Sequence, residues 1–138
     1  MRQFCRKGSL AVVASILMMA GVSACGNLAA PTPPLGRATV LVVDSATNAG
    51  IGNVLVTLIT TTGTPWAELR TSSNGTGEFR SSDGGVIIQG YVVRLELPTG
   101  YTLAANESND KPVVVVVGLT TNTTFKLHKV TVVGGGGG

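Results

Sequence analysis

The feature that most constrains this chain is the alternating pattern of Tyr91–Leu97, "YVVRLEL". Tyr91, Val93, Leu95 and Leu97 fall on one face of an extended segment, and the polar residues of the stretch fall on the other. A period of two residues predicts a β-strand with one buried face. No window of a dozen residues after Cys25 shows a helical period. The sequence therefore predicts an all-β domain.

Further strand candidates follow the same logic, and clusters of Gly, Asn, Ser and Thr separate them. They are "ATVLVVD" (38–44), "VLVTLIT" (54–60), "VVVVV" (113–117) and "TTFKLHKVTVV" (123–133). Six or seven short strands with turn signals about every ten residues predict an antiparallel, immunoglobulin-like or prealbumin-like β-sandwich. In the last segment, Phe125 and Leu127 are predicted to face inward and His128 to face solvent.

The run Val113–Val117 is apolar on both faces. This pattern fits either a central strand or an exposed edge strand. As an exposed edge it would offer unpaired backbone groups to another strand. We therefore state as a hypothesis that this run associates with a second strand.

The N-terminal segment has the organisation of a secretory signal peptide. A cationic "MRQFCRKGS" precedes an apolar "LAVVASILMMAG" of a dozen residues. A stable membrane-spanning helix needs about 20 apolar residues, so this run is too short. Residues 1–24 are predicted to be a signal-peptide helix that is removed from the mature chain.

The segment ends in "VSAC", Val22–Cys25, which resembles the lipobox of bacterial lipoproteins. The resemblance implies cleavage between Ala24 and Cys25, with Cys25 becoming a lipidated N-terminal residue held at a membrane. It also implies that Gly26, which is not aspartate, favours the outer membrane if the organism has one. The alternative is an ordinary signal peptidase that cuts after Ala24 and leaves Cys25 as a free thiol.

Other roles for Cys25 fail on residue counts. The chain has two cysteines, and the other one, Cys5, lies in the segment predicted to be removed, so a disulfide is not expected. The chain has one histidine, His128, and a metal site cannot be assembled from it and a single cysteine. No metal and no cofactor are expected.

Past Cys25 the chain divides by composition. Residues 25–36 carry three of the six prolines and no charge, which is typical of an extended tether. Residues 37–133 form the predicted sandwich. Residues 134–138 are five glycines, which are predicted to be a flexible tail.

The net charge of +3 does not indicate nucleic-acid binding. Three of the ten basic residues precede the apolar segment, which leaves seven bases against seven acids in the remainder. No basic footprint remains to contact a phosphate backbone. Nucleic acid is therefore excluded as an expected partner.

The body carries three motifs in order: "VVD…NVLVTL", "TSSNGTGEF" and "YVVRLELPTGY". Their order and spacing resemble those of carboxypeptidase regulatory-like domains and of their Cna B-type and prealbumin-like relatives. The resemblance covers about ninety residues. It implies a seven-stranded sandwich that acts as a spacer, stalk or accessory module without catalysis.

Some Cna B-type domains join a first-strand lysine to a last-strand asparagine, assisted by a buried acid. Here the predicted first strand, Ala38–Asp44, has no lysine and is preceded by Arg37, whose guanidinium does not form that amide. Glu96 does not stand where the family's acid lies before its proline. We therefore expect no isopeptide bond.

No catalytic set is found in the sequence. Asp44, Asp83 and Asp110 lack calcium-loop spacing, and "NGTGEF" is better explained as a hairpin turn than as a phosphate-binding loop. Trp66 is either a ligand contact on a loop or an edge-strand aromatic that covers the sandwich. The expected protein is a non-enzymatic, lipid-anchored envelope module with an envelope protein as partner, or an accessory module that binds glycan or peptide near Trp66.

Overall fold

Short extended segments account for all of the regular structure in the computed structural model, which describes residues 31–81 and 84–131. Within these ranges there are nine strands: β1 (Leu35–Asp44), β2 (Leu55–Thr60), β3 (Pro65–Arg70), β4 (Thr76–Phe79), β5 (Val86–Ile87), β6 (Gly90–Leu95), β7 (Tyr101–Leu103), β8 (Asp110–Val114) and β9 (Thr120–Lys129). The described residues from Pro34 onward belong to one compact unit.

The strands form two sheets. The first has the order β4-β1-β9-β7, with β5 also paired to β1, and the second has the order β3-β2-β6-β8. The pairs are antiparallel except for β1 and β9, which run parallel. Their register joins eight residue pairs, from Arg37–Thr120 to Asp44–Leu127.

The core lies between the sheets and follows the period-two pattern. Alternate residues of each central strand point inward, as the pleat requires. A fully buried Val, Leu or Phe side chain of this kind contributes about 1.5–3 kcal/mol through the hydrophobic effect. The inward-facing core residues are Ala38, Val40 and Val42 on β1, Val56 and Leu58 on β2, Tyr91, Val93 and Leu95 on β6, and Phe125 and Leu127 on β9.

Two turns meet at the far end of β1. A Cβ atom at Gly50 would lie 2.0 Å from the carbonyl oxygen of Asn74, and Gly75 has φ +80° and is buried. Only glycine fits this close backbone approach. Nearby, the buried Thr71 hydroxyl donates to the Ile51 carbonyl at 2.7 Å and accepts from the Val54 N–H at 3.0 Å, which ties the two turns together.

The all-β sandwich predicted from the sequence is confirmed, with two refinements. Seven of the nine described strands have four or more residues, and the short β5 and β7 are additional. The predicted antiparallel pairing holds for the other strand pairs, whereas β1 and β9, the first and last strands, lie side by side in one sheet and run in the same direction. The predicted signal-peptide helix lies outside the described residues.

Two local expectations also need correction. The turn at "SSNGT" forms, with the Gly75 N–H donating to the Ser72 carbonyl at 2.8 Å. It is not a hairpin, because β3 and β4 belong to different sheets. Leu97 was placed on the buried face, but β6 ends at Leu95 and Leu97 is exposed.

Candidate interaction surface

Exposed apolar side chains are concentrated at one end of the sandwich. Eight large apolar side chains are exposed among the described residues, and six of them lie around the starts of β1 and β9. We call these six residues the apolar end; they are Ile87, Ile88, Val114, Val116, Val117 and Leu119. Val114 and Leu119 are the most open, at 64% and 61%. Clustered exposed apolar groups commonly mark an interaction surface.

Backbone pairing brings the two segments that carry these residues, 87–88 and 114–119, together around the start of β1. Leu35 at the start of β1 pairs with Ile87 in β5. The Val115 N–H donates to the Gln89 carbonyl at 3.0 Å, which holds the segment after β8 beside the β5–β6 connection. The Arg37 N–H donates to the Leu119 carbonyl at 3.1 Å. The apolar end therefore surrounds the point where the chain enters the sandwich.

A shallow groove opens at this same end. Its volume is about 380 Å³, and its lining includes Gly36, Arg37, Gly85 and Leu119. A Cβ at Gly36 would lie 2.5 Å from the Val116 carbonyl oxygen, so glycine is what allows the chain to pass this closely. Arg37 is exposed beside the groove.

The valine run divides between a strand and a loop. Val113 and Val114 end β8, Val115 is buried, and Val116 and Val117 are exposed in the connection to β9. The sequence left open whether this run is a central strand or an edge strand. In the structure β8 is an edge strand of its sheet.

The outer edge of β8 nevertheless has few free backbone groups with which to pair another strand. Leu95 N–H donates to the Asn109 carbonyl at 2.8 Å, which sets the alternation of hydrogen-bonded pairs along β6 and β8. By that alternation the nitrogen of Pro112 faces away from β6, where it has no proton to donate. The outward carbonyl of Val114 already accepts from the Thr121 hydroxyl at 2.8 Å. Pairing of β8 with another strand stays a hypothesis, and these contacts weigh against it.

Trp66 lies on a strand rather than a loop. It is the second residue of the edge strand β3, it is half-buried, and it packs against the core. Its ring meets that of Tyr91 edge to face, with 5.9 Å between centroids. This is the geometry of an aromatic that covers the sandwich, and a role in ligand contact stays a prediction.

The charged side chains of β8 are held in ion pairs. Arg94 contacts both carboxylate oxygens of Asp110, at 2.7 and 2.8 Å, and this hydrogen bonding lowers the pKa of Asp110. Lys111 lies 2.6 Å from a carboxylate oxygen of Glu107 and donates to the Thr124 carbonyl at 2.6 Å. The Arg94–Asp110 pair joins neighbouring strands of one sheet, and the hydrogen bond from Lys111 to Thr124 joins β8 to β9 in the other sheet.

The remaining polar candidates are dispersed. His128 is exposed on β9, as predicted. Asp44 is buried at the end of β1, at the opposite end of the sandwich from the apolar end. No group of three or more His, Cys, Asp or Glu side chains in residues 31–81 and 84–131 is placed to hold a metal ion.

The lipidation and cleavage predictions concern two residues of the N-terminal segment. Cys25 and Ala24 both lie outside the described residues. Over the part of the chain that the structure describes, no helix has the length and apolar character needed to span a bilayer.

An isopeptide bond of the Cna B type would join the first and last strands, which are β1 and β9 here. β1, which includes Arg37, carries no lysine. Asn122 on β9 lies opposite Thr39, whose hydroxyl donates to the Asn122 side-chain oxygen. The expected lack of an isopeptide bond stays a prediction, and the intact mass of the mature chain tests it because the bond would remove one water.

The sequence missed half of the apolar end. It singled out Val113–Val117 but not Ile87, Ile88 or Leu119. A signal was present: "VII" lies between two glycine-containing turns, where a buried strand of normal length has no room. The run does not by itself distinguish the buried Val86 from the exposed Ile87 and Ile88, which only the fold separates.

Comparison with solved structures identifies the fold. The minor pilin of Streptococcus agalactiae matches with a TM-score of 0.58 and 22% identity over 71% of this chain and 46% of its own. The Bacillus anthracis TIE protein matches with a TM-score of 0.57 and 19% identity over 70% and 17%. The pilus 2b backbone protein of group B streptococcus matches with a TM-score of 0.55 and 20% identity over 70% and 42%.

These matches, each under 25% identical, show the β-sandwich fold that the sequence motifs indicated. The chain spans less than half the length of each of the three proteins. No protein-family model matches the sequence, and a search of curated proteins gives no significant match.

Proposed function

We propose that this chain is a lipid-anchored, non-enzymatic envelope protein whose β-sandwich is a structural or protein-interaction module. The observation that carries the proposal is the parallel pairing of β1 with β9. The sandwich begins at Leu35 and its last strand ends at Lys129, at opposite ends of the domain. A strand of ten residues spans about 33 Å, so the domain holds the segments on its N-terminal and C-terminal sides apart by roughly that distance.

The structural neighbours agree with such a role. Two of them are described as a minor pilin and a pilus backbone protein. These are surface proteins in which the sandwich is one part of a longer chain. We infer that this chain uses its sandwich in the same way, as a structural module at the cell envelope.

The anchor is assigned to Cys25 on the lipobox-like "VSAC". One acyl chain holds a protein to a bilayer only marginally, whereas two or three hold it stably. The proline-rich residues 25–34 then connect the lipid to the sandwich, whose first strand begins two residues before the boundary predicted at Arg37. In an organism with two membranes, Gly26 favours the outer one.

The test is replacement of Cys25 by alanine in cells that express the full chain. We expect wild-type protein to remain with the membrane fraction and to incorporate an alkyne-tagged fatty acid. We expect Cys25→Ala to lose the label and to leave the membrane fraction. The intact mass of the mature wild-type protein identifies the new N-terminus.

Cys5→Ala is the matched control, because it removes the other cysteine from a segment that maturation discards. It should retain both the label and the membrane association. Labelled, membrane-bound Cys25→Ala protein would show that the anchor assignment is wrong.

A further inference from the structure

We propose that the apolar end of the sandwich rests on the lipid bilayer that holds the anchor. This inference rests on the proposed lipidation of Cys25. Its structural basis is that the apolar end surrounds the start of β1, where the tether arrives: Leu35 pairs directly with Ile87. The anchored end of the domain and its exposed apolar end are therefore the same end.

The tether is short enough to keep this end of the domain close to the bilayer. Nine residues separate Cys25 from Leu35. In an extended polyproline-like conformation they reach about 30 Å, at roughly 3.1 Å per residue. A surface tethered so close to the bilayer meets it at a high effective concentration, so that a weak contact is enough to be populated.

The composition of this end suits the boundary between headgroups and acyl chains. Val114, Val117 and Leu119 are each more than half exposed. Arg37 stands exposed beside them, and an arginine at a membrane surface can place its guanidinium among phosphate groups while its stem stays with apolar neighbours. The other charged side chains described at this end, Arg80 and Glu78, pair with each other at 2.7 Å.

A bilayer fits this surface better than a second protein copy does. A stable protein interface takes roughly 20–30 residues on each side. The apolar end has six residues, of which Ile87 and Val114 lie in strands β5 and β8 and the other four lie in connections between strands. Four of the six side chains therefore protrude from loops, which suits shallow insertion into the headgroup region.

The turn between β2 and β3 lies at the same end of the sandwich as the apolar end. Thr60 pairs with Tyr91 near the start of β6, so that the threonine-rich residues 61–64 lie beside the apolar end. These residues are exposed and uncharged. Among the described residues, no unpaired acidic side chain lies at this end to repel anionic lipid.

The experiment measures the depth of a probe in lipid. Mature, lipidated Val117→Cys protein is labelled at the new thiol with the polarity-sensitive fluorophore NBD. It is then reconstituted into vesicles of phosphatidylcholine and phosphatidylglycerol that contain a nitroxide-labelled lipid. We expect a blue-shifted emission and several-fold stronger nitroxide quenching than for the matched control Leu97→Cys, which carries the label on an exposed residue at the opposite end.

Val114→Cys provides a second position in the apolar end and should behave as Val117→Cys does. Equal quenching at residues 117 and 97 in vesicle-bound protein would overturn the inference while leaving the anchor intact. Energy transfer between labelled copies without lipid quenching would also overturn it and would assign the surface to a second copy. Release of both labelled proteins from the vesicles would refute the anchor, and the inference with it.

Discussion

Asp44 controls how β1 ends. One of its carboxylate oxygens accepts the N–H groups of Ala46 at 2.8 Å and Thr47 at 3.0 Å, and its carbonyl accepts the N–H of Asn48 at 2.8 Å. These hydrogen bonds satisfy backbone donors that would otherwise be lost in the turn. The hydrogen bonds from Ala46 and Thr47 lower the pKa of Asp44, and burial opposes them only in part.

The lowered pKa has a consequence for stability at low pH. Because the folded carboxyl binds its proton more weakly than the unfolded one, Asp44 stabilises the fold above the unfolded pKa of about 3.9. That contribution is lost as the pH falls through the folded pKa. We therefore expect Asp44→Asn to have a smaller loss of unfolding free energy than wild type between about pH 6 and pH 3. Urea denaturation at the two pH values measures the difference.

Glu96→Gln is the control, because Glu96 is exposed after the end of β6. It should keep the acid sensitivity of the wild type. An Asp44→Asn protein that loses as much stability in acid as wild type would contradict the assignment.

Single residues differ in whether their role could be predicted from the local sequence. The "VVD" motif placed Asp44 at the end of a strand, because aspartate before a turn cluster has a local role. The reason for Gly50 is not local: its missing side chain leaves room for the backbone of Asn74, 24 positions further along the chain. Trp66 is similar, since its partner Tyr91 belongs to a strand of the same sheet that no local pattern connects to it.

At the scale of elements, the edge strand β8 shows how Pro112 limits association. Pro112 stands where an outward N–H would otherwise be available to a partner strand. The apolar Val113 and Val114 lie directly beside it. The strand therefore combines a sequence prone to pairing with a backbone that lacks one of the donors needed for it.

Pro112→Val is expected to increase self-association, because it restores the donor and extends the β-branched run to six residues. The measurement is sedimentation velocity over a range of concentrations, in a Cys25→Ala background so that lipid does not contribute. Pro98→Val is the matched control, since Pro98 lies in the connection between β6 and β7. If Pro112→Val sediments as wild type does at all concentrations, Pro112 does not protect the edge.

Element positions were largely predictable, and their partners were not. The alternation in Tyr91–Leu97 located β6, and the phase of Phe125 and Leu127 gave the inward face of β9. The turn after β3 was also found, but its role in passing the chain from one sheet to the other was not. A turn motif specifies a local backbone path, whereas the choice of partner strand depends on how two whole sheets pack.

At the scale of the whole molecule, the order of three motifs was enough to indicate the sandwich and its relatives. The parallel contact between β1 and β9 was not predictable from pattern, because it joins residues about 80 positions apart through tertiary packing. The same limit applies to the apolar end. Ile87, Ile88 and Leu119 are ordinary in their local sequence, and only the fold brings the two segments that carry the apolar end, 87–88 and 114–119, to the start of β1.

The parallel ladder also determines how the domain bears mechanical load. Tension applied between the start of β1 and the end of β9 pulls the two strands past each other along their length. The ladder over its eight residue pairs is then loaded in shear, and its hydrogen bonds resist together. Tension applied between Pro34 and Leu119, which lie at the same end, would separate the strands one bond at a time.

Single-molecule force spectroscopy with handles at these two pairs of positions compares the geometries in one protein. We expect a clearly higher unfolding force for pulling from Pro34 and Val130 than from Pro34 and Leu119. Equal forces would show that the ladder between β1 and β9 is not the mechanical barrier. A domain loaded in shear lets a surface protein transmit a pull from its outer end to its anchor without unfolding.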